Sequence, residues 1–117
     1  MFIEKKPDEI ELLSFFESEP VSFSRDNITF LYTAKDKKGL SIDFSFSVIE
    51  GWIQYVLKLD SYEFLYNSID VDYFEIKNDN IGDYLYTEVI GDTLISKIEI
   101  RIRPEISIKS SALAKVP

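Results

Sequence analysis

The sequence predicts an α+β, mostly β fold: an N-terminal helix packed on an antiparallel β-meander sheet or flattened sandwich of about six or seven strands. Three observations carry this. One segment near the start has helical spacing and a capping signature; beyond residue 28 the apolar residues recur at every second position; and the alternating segments are separated by turn-rich stretches of hairpin length. A chain of 117 residues is one domain's worth and buries roughly two-thirds of its unfolded surface. The expected organisation is a single domain over 1–117, with a helix region at 1–20, the antiparallel sheet at 21–109 and a frayed tail at 110–117.

Helix signals come first. Pro7 suits a first turn, Asp8 with Glu11 three residues on makes a capping-box pair, and Ile10, Leu12, Leu13, Phe15 and Phe16 form a wide apolar stripe that should end before Pro20. Period two then takes over. Ile28, Phe30 and Tyr32 alternate with Thr29 and Thr33, and Lys35 to Gly39 supply a polar turn ending in glycine. Leu40, Ile42, Phe44, Phe46 and Val48 share one face of the next strand, with Ser41, Asp43, Ser45 and Ser47 on the other. Trp52 to Leu59 is apolar on both faces, as a central strand covered by the helix on one side and by more chain on the other would be. Residues 61–68 read equally as a helical turn or an irregular crossover. Residues 70–77 and 83–90 read as strands joined by the turn-forming run Asn78-Asp79-Asn80-Ile81-Gly82. A last long strand points Ile98, Ile100 and Ile102 inward and Lys97, Glu99, Arg101 and Arg103 outward; Pro104 interrupts it, and Ile106 and Ile108 extend the alternation briefly.

Charge is unevenly distributed along this framework. Residues 60–92 hold nine carboxylates and one cation, Lys77, a local charge equal to the −8 of the whole chain; residues 1–59 are worth −3 and residues 93–117 are worth +3. A one-signed field of this kind concentrates cationic partners and repels polyanions, so nucleic acid and anionic membrane are not expected ligands. The chain has no cysteine and no histidine. Disulfides, thiolate metal sites, Ser-His-Asp and Cys-His machinery and histidine-bearing zinc sites are therefore excluded. The opening Met1-Phe2-Ile3-Glu4-Lys5-Lys6 lacks a signal-peptide core, and no stretch approaches the roughly eighteen apolar residues of a membrane span. A cytoplasmic protein is the expectation.

Within the acidic segment, the accompanying residue types point to protein binding. With Phe74 and Ile76 facing the core, Tyr73, Glu75 and Lys77 face out; with Leu85 and Val89 inward, Tyr84, Tyr86 and Glu88 face out. Adjacent strands then present exposed tyrosines, which are enriched at binding hot spots, among carboxylates that pair with lysine and arginine. The expected partner contacts are Tyr73, Glu75, Tyr84, Tyr86 and Glu88, with Asp70, Asp72, Asp79 and Asp83 steering. The blander reading of the same residues is a solvated face that keeps the protein soluble. Asn78 to Asp83, with Glu88 six residues past Gly82, distantly matches a calcium loop, but Asn78 stands where aspartate is required and the flanks are strands; a hairpin turn explains it better. Pairs of carboxylates suited to glycoside hydrolysis are inevitable among 21 acids and carry little information. No catalytic residue, metal ligand or cofactor is assigned. The outward bases Lys97, Arg101 and Arg103, without interleaved aromatics, read as cross-strand partners of acids or as guards of an edge strand.

The acidic balance, the opening helix, the segment Lys38-Gly39-Leu40-Ser41-Ile42-Asp43-Phe44-Ser45-Phe46, then Glu50-Gly51-Trp52-Ile53 and the isoleucine-rich strand before Pro104, together resemble bacterial immunity proteins of toxin/immunity pairs, including contact-dependent growth inhibition systems. The resemblance covers nearly the whole length in style, without a diagnostic motif, and transfers no residue role. It implies a non-enzymatic inhibitor of one cognate toxin, often a nuclease with a cationic active site. The expected partner is thus a protein toxin with a basic surface, bound by a monomer. The alternative is a structural or adaptor subunit docking by the strand at 97–103 as an edge.

Overall fold

The computed structural model describes residues 2–24, 29–60 and 62–114. Within them one helix, α1 (Glu9–Phe16), precedes nine strands: β1 (Ser22–Ser24), β2 (Thr29–Lys35), β3 (Leu40–Ser47), β4 (Trp52–Leu59), β5 (Tyr62–Asp70), β6 (Glu75–Asn78), β7 (Asp83–Ile90), β8 (Leu94–Arg101) and β9 (Ser107–Ala114). Strands β1 to β5 form one sheet and β6 to β9 a second, each in sequence order and antiparallel throughout. The chain thus makes two consecutive meanders, in which short hairpins keep sequence neighbours as spatial neighbours.

The capping box forms as expected. Glu11 N–H donates to the Asp8 carboxylate (2.8 Å), and Asp8 N–H donates to the Glu11 carboxylate (3.1 Å). The helix stops where Glu17 enters the left-handed region (φ 57°). Its last turn contains no base, and Arg103 from beyond β8 supplies the missing donors, to the carbonyls of Phe15 (2.9 Å) and Ser14 (3.3 Å). The apolar stripe is narrower than expected: Leu12, Phe15 and Phe16 are buried, but Ile10 is 77% exposed and Leu13 is exposed too. Two helical turns offer one contact line, and Phe16 uses it, its ring 4.8 Å from that of Tyr32 in β2 and 5.6 Å from Phe44 in β3.

Period two is realised in β3, whose Ile42, Phe44 and Phe46 are fully buried, and in β8, where Ile98 and Ile100 are buried, with Ile102 just beyond. The centre of the core is aromatic. Phe74, fully buried at the crossing from the first sheet to the second, lies with its ring 5.8 Å from Phe44 and 5.1 Å from Phe46. Residues 71–74 carry the chain from one sheet to the other, pinned by Val71 N–H to Gly51 O (2.9 Å), Glu4 N–H to Asp72 O (2.7 Å) and Phe74 N–H to Lys5 O (3.0 Å).

Several expectations change. Of the segment at 61–68, Ser61 lies outside the described residues and the rest is strand, within β5, whose period is blurred by a register shift opposite Leu57 and Lys58. Residues 70–77 are not one strand, because 71–74 form the crossing and β6 holds only Glu75–Asn78. Strand β4 lies between β3 and β5, yet only Ile53, Tyr55 and Leu57 are buried; Trp52, Gln54 and Val56 stay half-exposed, so one face is covered, not two. The frayed tail is strand as far as Ala114, paired with β8 along its length. Its residues from Ser110 on are exposed and mostly small, so backbone pairing replaces the apolar alternation a sequence reveals. The strand at 97–103 is not an edge: β8 is flanked by β7 and β9, which removes the docking edge of the adaptor reading. Ile28 and residues 115–117 lie outside the described residues.

Phe74 offers the sharpest test of this architecture. Phe74→Ala should cost about 3–5 kcal/mol in urea unfolding, from lost burial plus a residual cavity; a cost below about 1 kcal/mol would mean that the sheets do not depend on this ring.

Candidate protein-binding surface

Side chains alternate strictly across the second sheet. Ile76, Leu85, Thr87, Ile98 and Ile100 point in, so Glu75, Lys77, Tyr84, Tyr86, Glu88, Lys97, Glu99, Arg101 and Lys109 point out. The register sets them in rows: Glu75, Tyr86, Glu99 and Lys109 in one, Glu88, Lys97 and Ser111 in the next, and Ile90, Ile95 and Leu113 in a third. Lys97 does stand opposite an acid, Glu88, as the cross-strand reading of the bases expects.

The nine expected contact residues divide into two groups. At the turn end, their charge is spent internally. Arg101 donates through Nη1 to Asp79 Oδ1 (3.1 Å) and through Nη2 to Asp79 Oδ2, while Asp79 Oδ1 also accepts the N–H groups of Ile81 (3.0 Å) and Gly82 (3.2 Å). This is an Asx-type hairpin turn, the reading preferred over a calcium loop. The Arg101 contact, aided by those two N–H groups against partial desolvation, holds the Asp79 carboxyl down at about 2. The same guanidinium lies 4.6 Å from the ring centre of Tyr84. Asp83 accepts from Asn78 Nδ2 (2.7 Å), and Glu75 is flanked by Lys5 (3.4 Å) and Lys77 (3.5 Å).

Tyr86 departs most from expectation. It faces outward but is only 8% exposed, because Lys77 Nζ sits 4.0 Å above its ring and Tyr84 packs edge-on against it at 6.5 Å. Its hydroxyl donates to Glu88 Oε2 (3.0 Å). Burial, that hydrogen bond and the neighbouring carboxylate charge push the phenol up to about 12. Tyr86 therefore props the face instead of offering itself as an exposed hot spot.

The other group surrounds the crossing. Asp70, Asp72, Tyr73 and Glu88 line a cleft of about 280 Å³ together with Val71, Val89 and Ile90. Asp70 and Asp72 are exposed, and no described lysine or arginine lies within ion-pair distance of either. Tyr73 is half-buried; its phenol is raised, first by burial and then by the fields of Glu88, Glu75 and Asp72. Thr87 Oγ1 donates to Tyr73 O (2.6 Å), which anchors the cleft to the buried side of β7. Sequence reasoning missed the apolar wall. Val89 and Ile90 form it, Ile90 being 66% exposed, and the signal was that adjacent pair, which makes both faces apolar where the strand ends.

No protein-family model matches the chain, and no curated protein does. Among solved structures, a chain in the contact-dependent growth inhibition toxin–immunity protein complex from Klebsiella pneumoniae 342 is similar at 70% sequence identity and a TM-score of 0.94. The match covers 97% of this chain and 100% of that one.

Two titrations report on the outward network. Asp79 has its pKa depressed, so its contribution is fully present above about pH 4 and is lost as the pH falls to about 2; Asp79→Asn should flatten the decline of unfolding free energy across that interval, and an unaltered slope would contradict the pairing. Tyr86 is the reverse case. With its pKa raised, its contribution is complete below pH 10 and disappears as the pH rises through about 12. Tyr86→Phe should remove that share of alkaline destabilisation in urea titrations, whereas equal alkaline slopes for both proteins would show that the phenol is not held neutral by the fold.

Proposed function

This chain belongs to the immunity proteins of contact-dependent growth inhibition toxin–immunity pairs, and on that premise we propose that it engages its toxin through the cleft around Asp70, Asp72, Tyr73 and Glu88 and the adjoining outer face of β6 to β8. It is a toxin-neutralising protein. In the proposed reading the neutralisation is stoichiometric binding, without turnover, in the cytoplasm. Neither nucleic acid nor membrane takes part, and the two sheets stack as one flattened sandwich with the helix against them, a single domain that presents the cleft as a unit. The toxin supplies a basic surface, as a nuclease domain does around a polyanionic substrate.

The observation that supports this is the division of the acids. Asp79, Asp83 and Glu75 are engaged by Arg101, Asn78, Lys5 and Lys77, so little of their charge is left for a partner. Asp70 and Asp72 have no such described partner and stand beside Val89 and Ile90. A lysine or arginine entering there meets carboxylates at its head and apolar surface along its stem, which is how such side chains are best accommodated. Tyr73 adds a half-buried ring with a polar tip, suited to a contact that loses water. Tyr84 and Tyr86, clamped by Arg101 and Lys77, supply shape instead of new contacts.

Charge reversal separates the two groups. Asp70→Lys with Asp72→Lys, or Glu88→Lys, should slow association with the toxin by about tenfold or more at low salt and flatten its salt dependence. Asp83→Lys should change the rate by less than about threefold, and Glu75→Lys should fall between. Stopped-flow association measures this; equal effects at both ends would remove the cleft as the principal contact.

A further inference from the structure

Four sheet edges are present among the described residues, and three are guarded in recognisable ways. Strand β1 is three residues long. Strand β6 is four residues long and carries Glu75 and Lys77, with Lys5 ion-paired beside it. Strand β5 itself carries the extra residue of a register shift, opposite Leu57 and Lys58 of β4, and ends in Asp70. Short length, charge and irregularity are the usual means by which proteins keep an edge from recruiting another strand.

The β9 edge has almost none of these. It runs for eight residues, Ser107–Ala114, in unbroken register with β8 from Arg101↔Ser107 to Leu94↔Ala114. It contains no proline or glycine and one charge, Lys109. All of it except Ile108 is exposed, including Ser110, Ala112 and Ala114, whose parity points them to the inner side, and no described residue pairs with its outer edge. Small side chains on both faces leave the backbone open to an incoming strand.

We propose that a second copy of this chain covers that edge, β9 pairing antiparallel with its counterpart about a two-fold axis normal to the sheet and joining two four-stranded sheets into one of eight. A dimer is thus set against the monomer expected from the sequence. The sequence of the strand is self-complementary for this arrangement. Odd-numbered residues of β9 point out and even-numbered ones point in, so such an axis pairs only residues of like parity. Centred on Ser111, it sets Lys109 opposite the other copy's Leu113, whose 58% exposure is then reduced by the lysine stem. Centred on Ser110, it sets Lys109 opposite Ser111. Neither register places lysine against lysine, and on the inner face Ile108 meets an alanine in both, Ala114 in the first and Ala112 in the second, while Ser110 meets Ala112 or its own counterpart. The acids also stay off the seam, because β9 contains none and lies in the segment of positive charge. The Asp70 to Ile90 cleft is not used, so the dimer neither requires nor blocks the toxin contact proposed above.

Light scattering and sedimentation of the protein alone, over a concentration series reaching about 100 μM, should show a mass approaching twice the 13.6 kDa of one chain. A monomer throughout overturns the proposal. Ser111→Lys places lysine against lysine in both registers: against itself in the first, against Lys109 in the second. It should weaken the dimer by at least about tenfold, with recovery at high salt as the repulsion is screened, while toxin binding is retained. An unchanged dimer overturns the proposal, and so does a loss of toxin binding, which would assign the edge to a strand of the toxin. Amide hydrogen exchange on the unaltered protein gives a test that needs no variant. Protection of 107–114 should rise with protein concentration, and concentration-independent exchange there also overturns the pairing.

Discussion

The burial of Phe74, at the crossing from the first sheet to the second, is the constraint from which the remaining features follow. Among the described residues no strand of one meander pairs with a strand of the other, so side-chain burial, the connecting chain and a few bonds from the N-terminal segment and from Asp36 hold them in relation. Phe74 contributes a ring to the centre of the first sheet's aromatic core while its backbone belongs to the entry of the second. The crossing can be short because both its ends are anchored. Gly51 receives Val71, and the N-terminal segment at residues 3–5 runs alongside, bonded to Val48 on one sheet's side and to Asp72 and Phe74 on the other's. Moving this segment would move the core and the cleft together.

That geometry also explains why the cleft is acidic and unneutralised. Asp70 and Asp72 lie at the end of β5 and within the crossing, where the backbone turns irregularly between core and solvent: Val71 is buried, Asp72 exposed, Tyr73 half-buried and Phe74 buried. Asp70 faces Trp52 of β4 and Asp72 lies beside the Glu4 backbone, so neither carboxylate has a base set opposite it. Farther along the same acidic segment, strands lie side by side, and acids acquire close partners: Glu75 from Lys77 on its own strand and from Lys5 of the N-terminal segment, Asp79 from Arg101, and Asp83 from Asn78. Pairing in a regular sheet consumes charge; irregular backbone at its margin leaves charge available to a partner.

Asp36 shows a carboxylate used for architecture. Partial desolvation works against its charge, yet the N–H groups of Ile106, Lys38 and Leu40 hold its carboxyl below the usual range. Two of these donors close the β2–β3 hairpin, and the third belongs to the loop before β9, so one side chain ties the first sheet to the last connection of the second. Arg103 does similar work at the helix C-terminus. In both cases a polar surface residue takes over backbone groups left without partners.

What was legible from sequence were features written in local period and local chemistry. The Asp8/Glu11 cap, the alternation of Ile42, Phe44 and Phe46 and of Ile98 and Ile100, the Asn78 to Gly82 turn and the concentration of acid between residues 60 and 92 all arise from interactions within a few residues, or from burial of one face. The resemblance in style to an immunity protein rests on the same level of pattern. Three kinds of property were not legible. Strand β9 has no apolar signature because its stability comes from backbone pairing with β8, which side-chain pattern does not encode. Tyr86 is outward by parity yet buried, because Lys77 folds over it from the adjacent strand. The acids divide into engaged and free because Arg101 reaches Asp79 from two strands away and Lys5 reaches Glu75 from the opposite end of the chain. The sequence by itself determined how much negative charge the protein carries and which segment bears it; tertiary structure alone decided which of those charges still face an incoming partner, because neutralisation acts over a few ångströms of space and not over positions along the chain.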